Sequence, residues 1–148
     1  MSHLEALLEL AKAVATVAHE GQVDKVGEAY INHPRRVASY CGTIEGKIVG
    51  WLHDVVEDTD ITYETLRNLG FDEYLLEALR CVTKEKGYDI DEYYARIIAN
   101  EFAREVKLAD LRDNTDETRI PKDYPQDKKD RLKNMLKQYY EHIDFLMN

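Results

Sequence analysis

Gly50-Trp51-Leu52-His53-Asp54-Val55-Val56-Glu57-Asp58-Thr59 sets a histidine beside an aspartate and adds two more acids one helical turn later. At about 100° per residue, with His53 at zero, Asp54 falls at about 100°, Glu57 at about 40° and Asp58 at about 140°. Ile44, Ile48, Trp51, Leu52, Val55 and Val56 fall together between roughly 160° and 300°. A helix from Ile44 to about Glu57 therefore separates an apolar arc from an arc of ionisable groups. Gly46 and Gly50 lie on the ionisable arc, in the preceding turns. A glycine inside a helix costs about 1 kcal/mol against alanine, so the pair predicts open space above that face. The stretch reads as one wall of a metal site with room for a ligand.

Upstream of this helix, residues 3–19 repeat apolar positions at Leu4, Leu7, Leu8, Ala11, Val14, Ala15 and Ala18, which is helical spacing. Gly21 stops that helix, and Gln22–Tyr30 has no clear period and reads as a surface loop. Asn32 is a good N-cap for the next helix, with Pro34 in its first turn. Val37 and Cys41 carry its apolar side, and Gly42 ends it.

Downstream, Asp58–Ile61 turn the chain. Thr62 can cap a short helix through Leu69, with Gly70 at its C-cap. Asp72 can cap another, which runs to about Lys84 through Leu75, Leu76, Leu79 and Val82, and Gly87 breaks it. Asp89 or Asp91 starts a helix through Tyr94, Ile97 and Ile98. Asn100 and Glu101 suggest a brief break before a helix from Phe102 to about Asp113. Residues 115–126 hold Pro121 and Pro125 and read as a loop. The last helix runs from about Asp127 to Leu146, with Leu132, Met135, Leu136, Tyr139, Ile143 and Leu146 on one side. No segment alternates with period two. The expectation is an all-α, single-domain bundle of seven or eight helices over residues 1–148.

A chain of 148 residues suits one domain with one core. The net charge of −9 argues against broad nucleic-acid or anionic-membrane binding, which needs a basic face. It leaves room for a small anionic substrate, because a metal and a few local cations can dominate inside a pocket. Cys41 and Cys81 stand in no CxxC pair and read as reduced core thiols of a cytoplasmic protein. No apolar run approaches the ~18 residues of a membrane span, and the N-terminus lacks a signal-peptide pattern. The oligomeric state stays open, a homo-oligomer included.

Of the histidines, His3 and His142 lie near the termini with no partner pattern and read as surface residues. His19 sits at a helix C-terminus, where it can cap carbonyls and oppose the dipole. His33 and His53 each belong with other candidate groups. A second helix supplies more of them. With Asp110 at zero, Lys107 lies at about 60° and Asn114 at about 40°. Val106-Lys107-Leu108-Ala109-Asp110 with Asn114 thus offers a carboxylate, a cation and an amide on one face, which on spacing alone reads first as a solvated polar stripe. Two imidazoles and two carboxylates suit a borderline divalent ion such as Mn²⁺, Fe²⁺ or Zn²⁺. An ion held by four protein donors keeps positions for water and substrate, and a coordinated water becomes a nucleophile near neutral pH. Glu57 and Asp58, one turn on, could orient that water or move its proton.

The ordered set His33, His53-Asp54 and Asp110 resembles the metal motif of the HD phosphohydrolase superfamily. The wider pattern is more specific: Ala18-His19-Glu20-Gly21-Gln22, Lys25, Gly27-Glu28, Tyr30-Ile31-Asn32-His33-Pro34, Leu52-His53-Asp54-Val55-Val56-Glu57-Asp58-Thr59, Val82-Thr83-Lys84 and Val106-Lys107-Leu108-Ala109-Asp110, in that order. Together they resemble the hydrolase domain of RelA/SpoT-type enzymes, which remove pyrophosphate from the 3′ position of (p)ppGpp. The resemblance covers roughly residues 1–115 well and the last helix more loosely. It implies a standalone small alarmone hydrolase, in which His33, His53, Asp54 and Asp110 hold one Mn²⁺. By the same resemblance Glu57 and Asp58 help activate the water, Asn114 contacts the substrate near the scissile phosphate, Lys25 lies near the nucleotide and its phosphates, and Lys107 precedes the last ligand.

Two segments depart from the family. Asp24-Lys25-Val26-Gly27 stands where arginine-lysine-serine-glycine is usual, so the residues that would stack on guanine and meet its edge are missing. Leu111-Arg112-Asp113-Asn114 replaces arginine-leucine-histidine-asparagine. The base is left open: guanine, adenine, or part of a dinucleotide such as NADPH. A nucleoside 5′-monophosphate phosphatase and a non-catalytic nucleotide-binding module are the other readings. The second would be marked by degraded ligands, and all four ligand types and both acids are present.

Overall fold

The computed structural model describes residues 1–147. Its α-helical segments are α1 (His3–Ala18), α2 (Asn32–Tyr40), α3 (Ile44–Leu52), α4 (Val55–Asp58), α5 (Tyr63–Leu69), α6 (Glu73–Val82), α7 (Ile90–Ala99), α8 (Glu101–Asn114) and α9 (Gln126–Met147). A single 3₁₀ turn, Glu117–Arg119, lies between α8 and α9. Among the described residues there is no β-strand, only an isolated bridge between Val23 and Ala29. The all-α expectation holds, with eight helices when the single-turn α4 is taken as the continuation of α3.

α3 is the central element, packed against α1, α2, α6 and α8. Its sequence is apolar on nearly every side, and Ile48, Val49, Trp51 and Leu52 are buried. α1 buries Leu7, Ala11 and Ala15, one side chain per turn, and the two small alanines let it approach α3 closely. α6 contributes Leu75, Leu76, Leu79 and Val82 as expected, and α7 adds Tyr93, Tyr94 and Ile97 to the same core. Each such aliphatic side chain stabilises the fold by about 1.5–3 kcal/mol on full burial. Cys41 and Cys81 are buried free thiols. No helix is long and apolar enough to cross a membrane, among the described residues.

Helix ends follow the cap chemistry closely. Thr62 Oγ1 accepts the Thr65 N–H, and Gly70 closes α5 in the left-handed region at φ 111°, returning its N–H to Arg67 and Leu66 carbonyls. Asn100 accepts the N–H groups of Phe102 and Ala103, so the break between α7 and α8 is one capping residue and Glu101 is already helical. Asn32 differs from expectation: it is the first helical residue rather than the N-cap, and its amide oxygen accepts from Arg35. Asp72 occupies the N-cap position of α6 without capping it, because its carboxylate meets His3 at 2.7 Å. His3 is exposed as expected, yet it has this acidic partner. On α9, Leu132, Met135 and Leu136 are half-buried. The expected apolar positions Tyr139, Ile143 and Leu146, and His142, lie outside the described side chains.

The helix expected from Ile44 to Glu57 is interrupted at His53–Asp54. Asp54 takes φ −106° and ψ −2°, and the chain restarts as α4. The physical reason is local. The His53 ring donates from Nδ1 to the Gly50 carbonyl at 2.6 Å, using an acceptor that the helix ladder would otherwise take.

The glycines of α3 also differ from expectation. A Cβ on Gly50 would sit 3.2 Å from the backbone N and Cα of Ala38 and 3.4 Å from Val37 Cγ1. A Cβ on Gly46 would collide with the Glu105 carboxylate and lie 2.9 Å from Thr43 Oγ1. The predicted open space is filled by α2 and by a side chain of α8. Gly50 lets α2, which carries His33, approach α3 closely, and Gly46 makes room for the Glu105 side chain of α8.

Candidate metal centre

His33 comes from the first turn of α2, His53 and Asp54 from the break after α3, and Asp110 from α8. Their polar tips converge. The two Nε2 atoms are 3.2 Å apart. Asp54 Oδ2 lies 3.1 Å from His53 Nε2 and 3.7 Å from His33 Nε2. Asp110 Oδ1 lies 2.9 Å from His33 Nε2 and 3.6 Å from His53 Nε2. Donors about 2.1 Å from one ion sit roughly 3 Å apart when adjacent, so these separations suit a single shared centre. His33, His53 and Asp54 form a cluster that could hold a metal ion, and the Asp110 carboxylate lies against both imidazoles.

The hydrogen bonds behind the imidazoles decide what they present. A carbonyl only accepts, so the bond from His53 to Gly50 places the proton on Nδ1. His33 Nδ1 meets Asp113 Oδ2 at 2.6 Å, and that carboxylate is itself held by Arg36 Nε at 2.6 Å. Both histidines in their neutral form thus turn a bare Nε2 lone pair toward the other. Two lone pairs at 3.2 Å repel unless a proton or cation lies beside them. That is the donor arrangement a divalent ion requires.

Electrostatics agree with this geometry. Burial disfavours the charged form of His53, but the Asp54 and Asp110 carboxylates outweigh it and raise its pKa well above the ordinary value. Burial likewise opposes His33, and its bonds to Asp110 and Asp113 carry the net shift upward. Asp54 is pushed up by burial and pulled down more strongly by His53, to about 2. Burial also works against Asp110, while Lys107 and the two histidines hold it well below the carboxylate range. The Asp54 and Asp110 carboxylates thus favour positive charge on the two imidazoles.

Lys107 and Asn114 flank Asp110 as the helical spacing predicts. Lys107 Nζ lies 3.3 Å from Asp110 Oδ2, and Asn114 Nδ2 donates to Asp110 Oδ1 at 3.2 Å. Lys107 is buried and also faces the Tyr93 ring at 5.5 Å. Glu57 and Asp58 stand exposed at the rim on α4. Glu57 accepts the Lys84 N–H at 3.0 Å. Partial burial and nearby acids raise both above their ordinary values. Lys25 is exposed on the loop 22–30 and lines the same cavity.

Apart from Asp58, which lies outside its lining, these groups line a cavity of about 390 Å³. Its floor carries His33, His53, Asp54 and Asp110. Lys25, Val26 and Tyr124 stand at one side, with Lys84 and Tyr93 at another. Asp24 faces its own loop: its Oδ1 accepts the N–H groups of Val26 and Glu28 at 3.0 and 2.9 Å. His19 does not cap α1 with its ring. It is buried, bonded from Nδ1 to Gln22 at 2.9 Å, and packed on Tyr30 at 5.0 Å between centroids.

Three residues at the site escaped sequence reasoning. The Tyr30 hydroxyl donates to Asp54 Oδ2 at 2.6 Å and fixes that carboxylate. Asp113 and Arg36 form the support behind His33. A signal existed for the last two, since each lies one turn beyond a proposed ligand on its own helix. Tyr30 sits in a loop, where no periodicity points to it.

The fold and the four-donor cluster between α2, α3 and α8 define an all-α domain of the HD type. No family model matches the chain. It is 40% identical over 81 residues to the bifunctional (p)ppGpp synthase/hydrolase SpoT of Escherichia coli, covering 52% of this chain and 11% of that protein. It is 33% identical over 118 residues to a guanosine-3′,5′-bis(diphosphate) 3′-pyrophosphohydrolase of Aquifex aeolicus, covering 74% and 17%. The chain thus spans about a tenth of the length of the first of these curated relatives and a sixth of the second. A solved structure described as a metazoan ortholog of SpoT that hydrolyzes ppGpp matches with a TM-score of 0.70 and 25% identity, over 93% of this chain and 85% of that one. The chain resembles the RelA/SpoT-type (p)ppGpp 3′-pyrophosphohydrolase domain from its fold to its metal-ligating pattern.

Proposed function

We propose that the protein is a metal-dependent hydrolase that removes pyrophosphate, or phosphate, from the ribose 3′ position of a (p)ppGpp-like nucleotide. The observation that carries this reading is the meeting of His33, His53, Asp54 and Asp110 in one cavity that Glu57 also lines, with Asp58 grouped close to Asp54 and Glu57. The whole of residues 1–148 acts as one HD-type domain, in the cytoplasm, on a small nucleotide. Mn²⁺ is the preferred ion, held by those four residues. When bound, it supplies Lewis acidity and a water of lowered pKa.

The chain's own groups do the rest. Glu57 and Asp58, whose carboxyl pKa values are raised by partial burial and neighbouring acids, take up or return the proton of the attacking water. Tyr30 holds the Asp54 carboxylate in place through its hydroxyl. Lys25 and Lys107 offset phosphate charge that the net acidity of the chain would otherwise repel. Asn114, exposed beside Asp110, supplies an amide to the phosphate next to the broken bond.

The loop 24–28 favours a second reading for the base. Asp24 is committed to its own loop and Val26 faces the cavity, so nothing there stacks on or reads guanine as an arginine and serine would. An adenine alarmone or NADPH is compatible with the same hydrolytic groups. The test is a screen of Mn²⁺-loaded protein against ppGpp, pppApp, NADPH and nucleoside 5′-monophosphates, reading released phosphate and pyrophosphate. Release of pyrophosphate from a 3′-diphosphate is expected. No release from any of them would overturn the proposal.

A further inference from the structure

α2 and α8 cross so that residues one turn apart on each helix form two rungs. His33 faces Asp110 on the first rung, and Arg36 faces Asp113 on the second. A diagonal bond joins them, from His33 Nδ1 to Asp113 Oδ2 at 2.6 Å. The Asp113 side chain is fully buried. Its Oδ1 takes Arg36 Nε at 2.6 Å, and Arg119 Nη2 stands 3.3 Å from its Oδ2. Arg119 also donates to the Asp113 backbone carbonyl. Two guanidinium groups therefore face a carboxylate that would otherwise be an expensive buried charge.

The two imidazoles have unequal supports. His53 leans on a neutral carbonyl of its own helix, so the local chain already sets its ring orientation. His33 has no such local support. Its ring is oriented from α8, by a side chain eighty positions away in the sequence. A carboxylate accepting from Nδ1–H fixes the tautomer, aims Nε2 and makes that nitrogen a stronger donor.

We propose that Asp113 is a positioning residue: through Nδ1 it holds His33 with Nε2 aimed at the metal, while Arg36 and Arg119 hold Asp113 in place. This rests on the metal-site reading above. It assigns Asp113, which stands where the resembled family has another residue type, a defined part in building the centre.

Two measurements test it. In ¹⁵N-histidine-labelled wild-type protein loaded with Zn²⁺, long-range ¹H–¹⁵N correlation should show His33 protonated on Nδ1, with a downfield, slowly exchanging proton. His33→Gln assigns the signal. A proton on Nε2, or metal on Nδ1, overturns the proposal. Separately, Mn²⁺ affinity is read from the EPR signal of the free ion. Asp113→Ala should weaken binding by about 10–100-fold. Asp113→Asn keeps an oxygen that can accept from Nδ1–H and should lose less. Asp113→Ala binding Mn²⁺ with wild-type affinity overturns the proposal while leaving the metal site standing. Wild-type protein that binds no metal sinks the site itself and this inference with it. Should the variants fail to fold, the wild-type spectrum decides alone.

Discussion

The Nε2 atoms of His33 and His53 face each other at 3.2 Å, each with its Nδ1 committed to a separate acceptor. Neither ring can rotate to relieve the contact without losing that bond. The pair is therefore built around something positive: a proton in the metal-free protein, a divalent ion in the loaded one.

This sets the direction of a pH effect. The raised pKa values of His33 and His53 mean that their protonated forms favour the folded metal-free chain below about pH 6.5, the ordinary imidazole value. That contribution is lost as pH rises through their higher folded values. Metal takes only neutral imidazole. Mn²⁺ affinity should rise with pH across the same window, and binding should release protons. Calorimetric titration in buffers of different ionisation enthalpy measures the release, and the same heat in every buffer would contradict it.

His53→Ala removes a proposed ligand whose ring is buried and bonded to Gly50. It should abolish both metal content and turnover. Metal analysis after loading with Mn²⁺, read beside hydrolysis, checks this, and a variant that keeps a full equivalent of metal would show that His53 is not a ligand.

Glu57→Gln and Asp58→Asn should behave differently from the ligand variants. Glu57 accepts the Lys84 N–H, a bond that glutamine can keep, so the fold around α4 should be preserved. Removing a group that handles the water's proton lowers kcat by about 10²–10⁴-fold. Metal content should stay near wild type for both. Loss of metal together with activity would reassign these acids to the ligand set.

Gly50→Leu tests the contact between α2 and α3. Its side chain would meet the Ala38 backbone, which cannot swing aside. Overpacking of this kind costs about 1–3 kcal/mol. It should also push α2, and His33 with it, away from His53. Gly46→Ala meets the end of the flexible Glu105 side chain instead and should disturb the metal site less. Thermal melts with and without Mn²⁺ compare the two, and a larger loss of metal-induced stabilisation in Gly46→Ala would contradict this.

Asp24→Ala removes the acceptor that organises two N–H groups of the 24–28 loop. Lys25 lies in that loop, so KM should rise while kcat changes little. Steady-state kinetics on the best substrate from the screen provide the readout. A fall in kcat at constant KM would place Asp24 in the chemistry rather than in substrate binding.

Much of this molecule was legible in the residues alone. The 3.6-residue spacing of Leu75, Leu76, Leu79 and Val82, or of Leu7, Ala11 and Ala15, states a helix and its buried face together, because burial follows a periodic stripe. Caps at Thr62 and Gly70 were equally local. Lys107, Asp110 and Asn114 were placed on one face by the same rule, and they are in contact. The ligand types of the site were named from the pattern of His33, His53, Asp54 and Asp110.

What only the tertiary structure decided depends on how helices cross. The break at His53–Asp54 arises from a side-chain bond that competes with the ladder, which periodicity cannot register. Gly46 and Gly50 looked like open space because a sequence shows a missing side chain without showing what fills the gap. Asp113 and Tyr30 became visible as supports of His33 and Asp54 only when α2, α3 and α8 were set against each other. Local chemistry along the chain determined which groups could bind a metal. The crossing of three helices, α2 packed closely on α3 at Gly50 and both on α8, decided that those groups meet at one point.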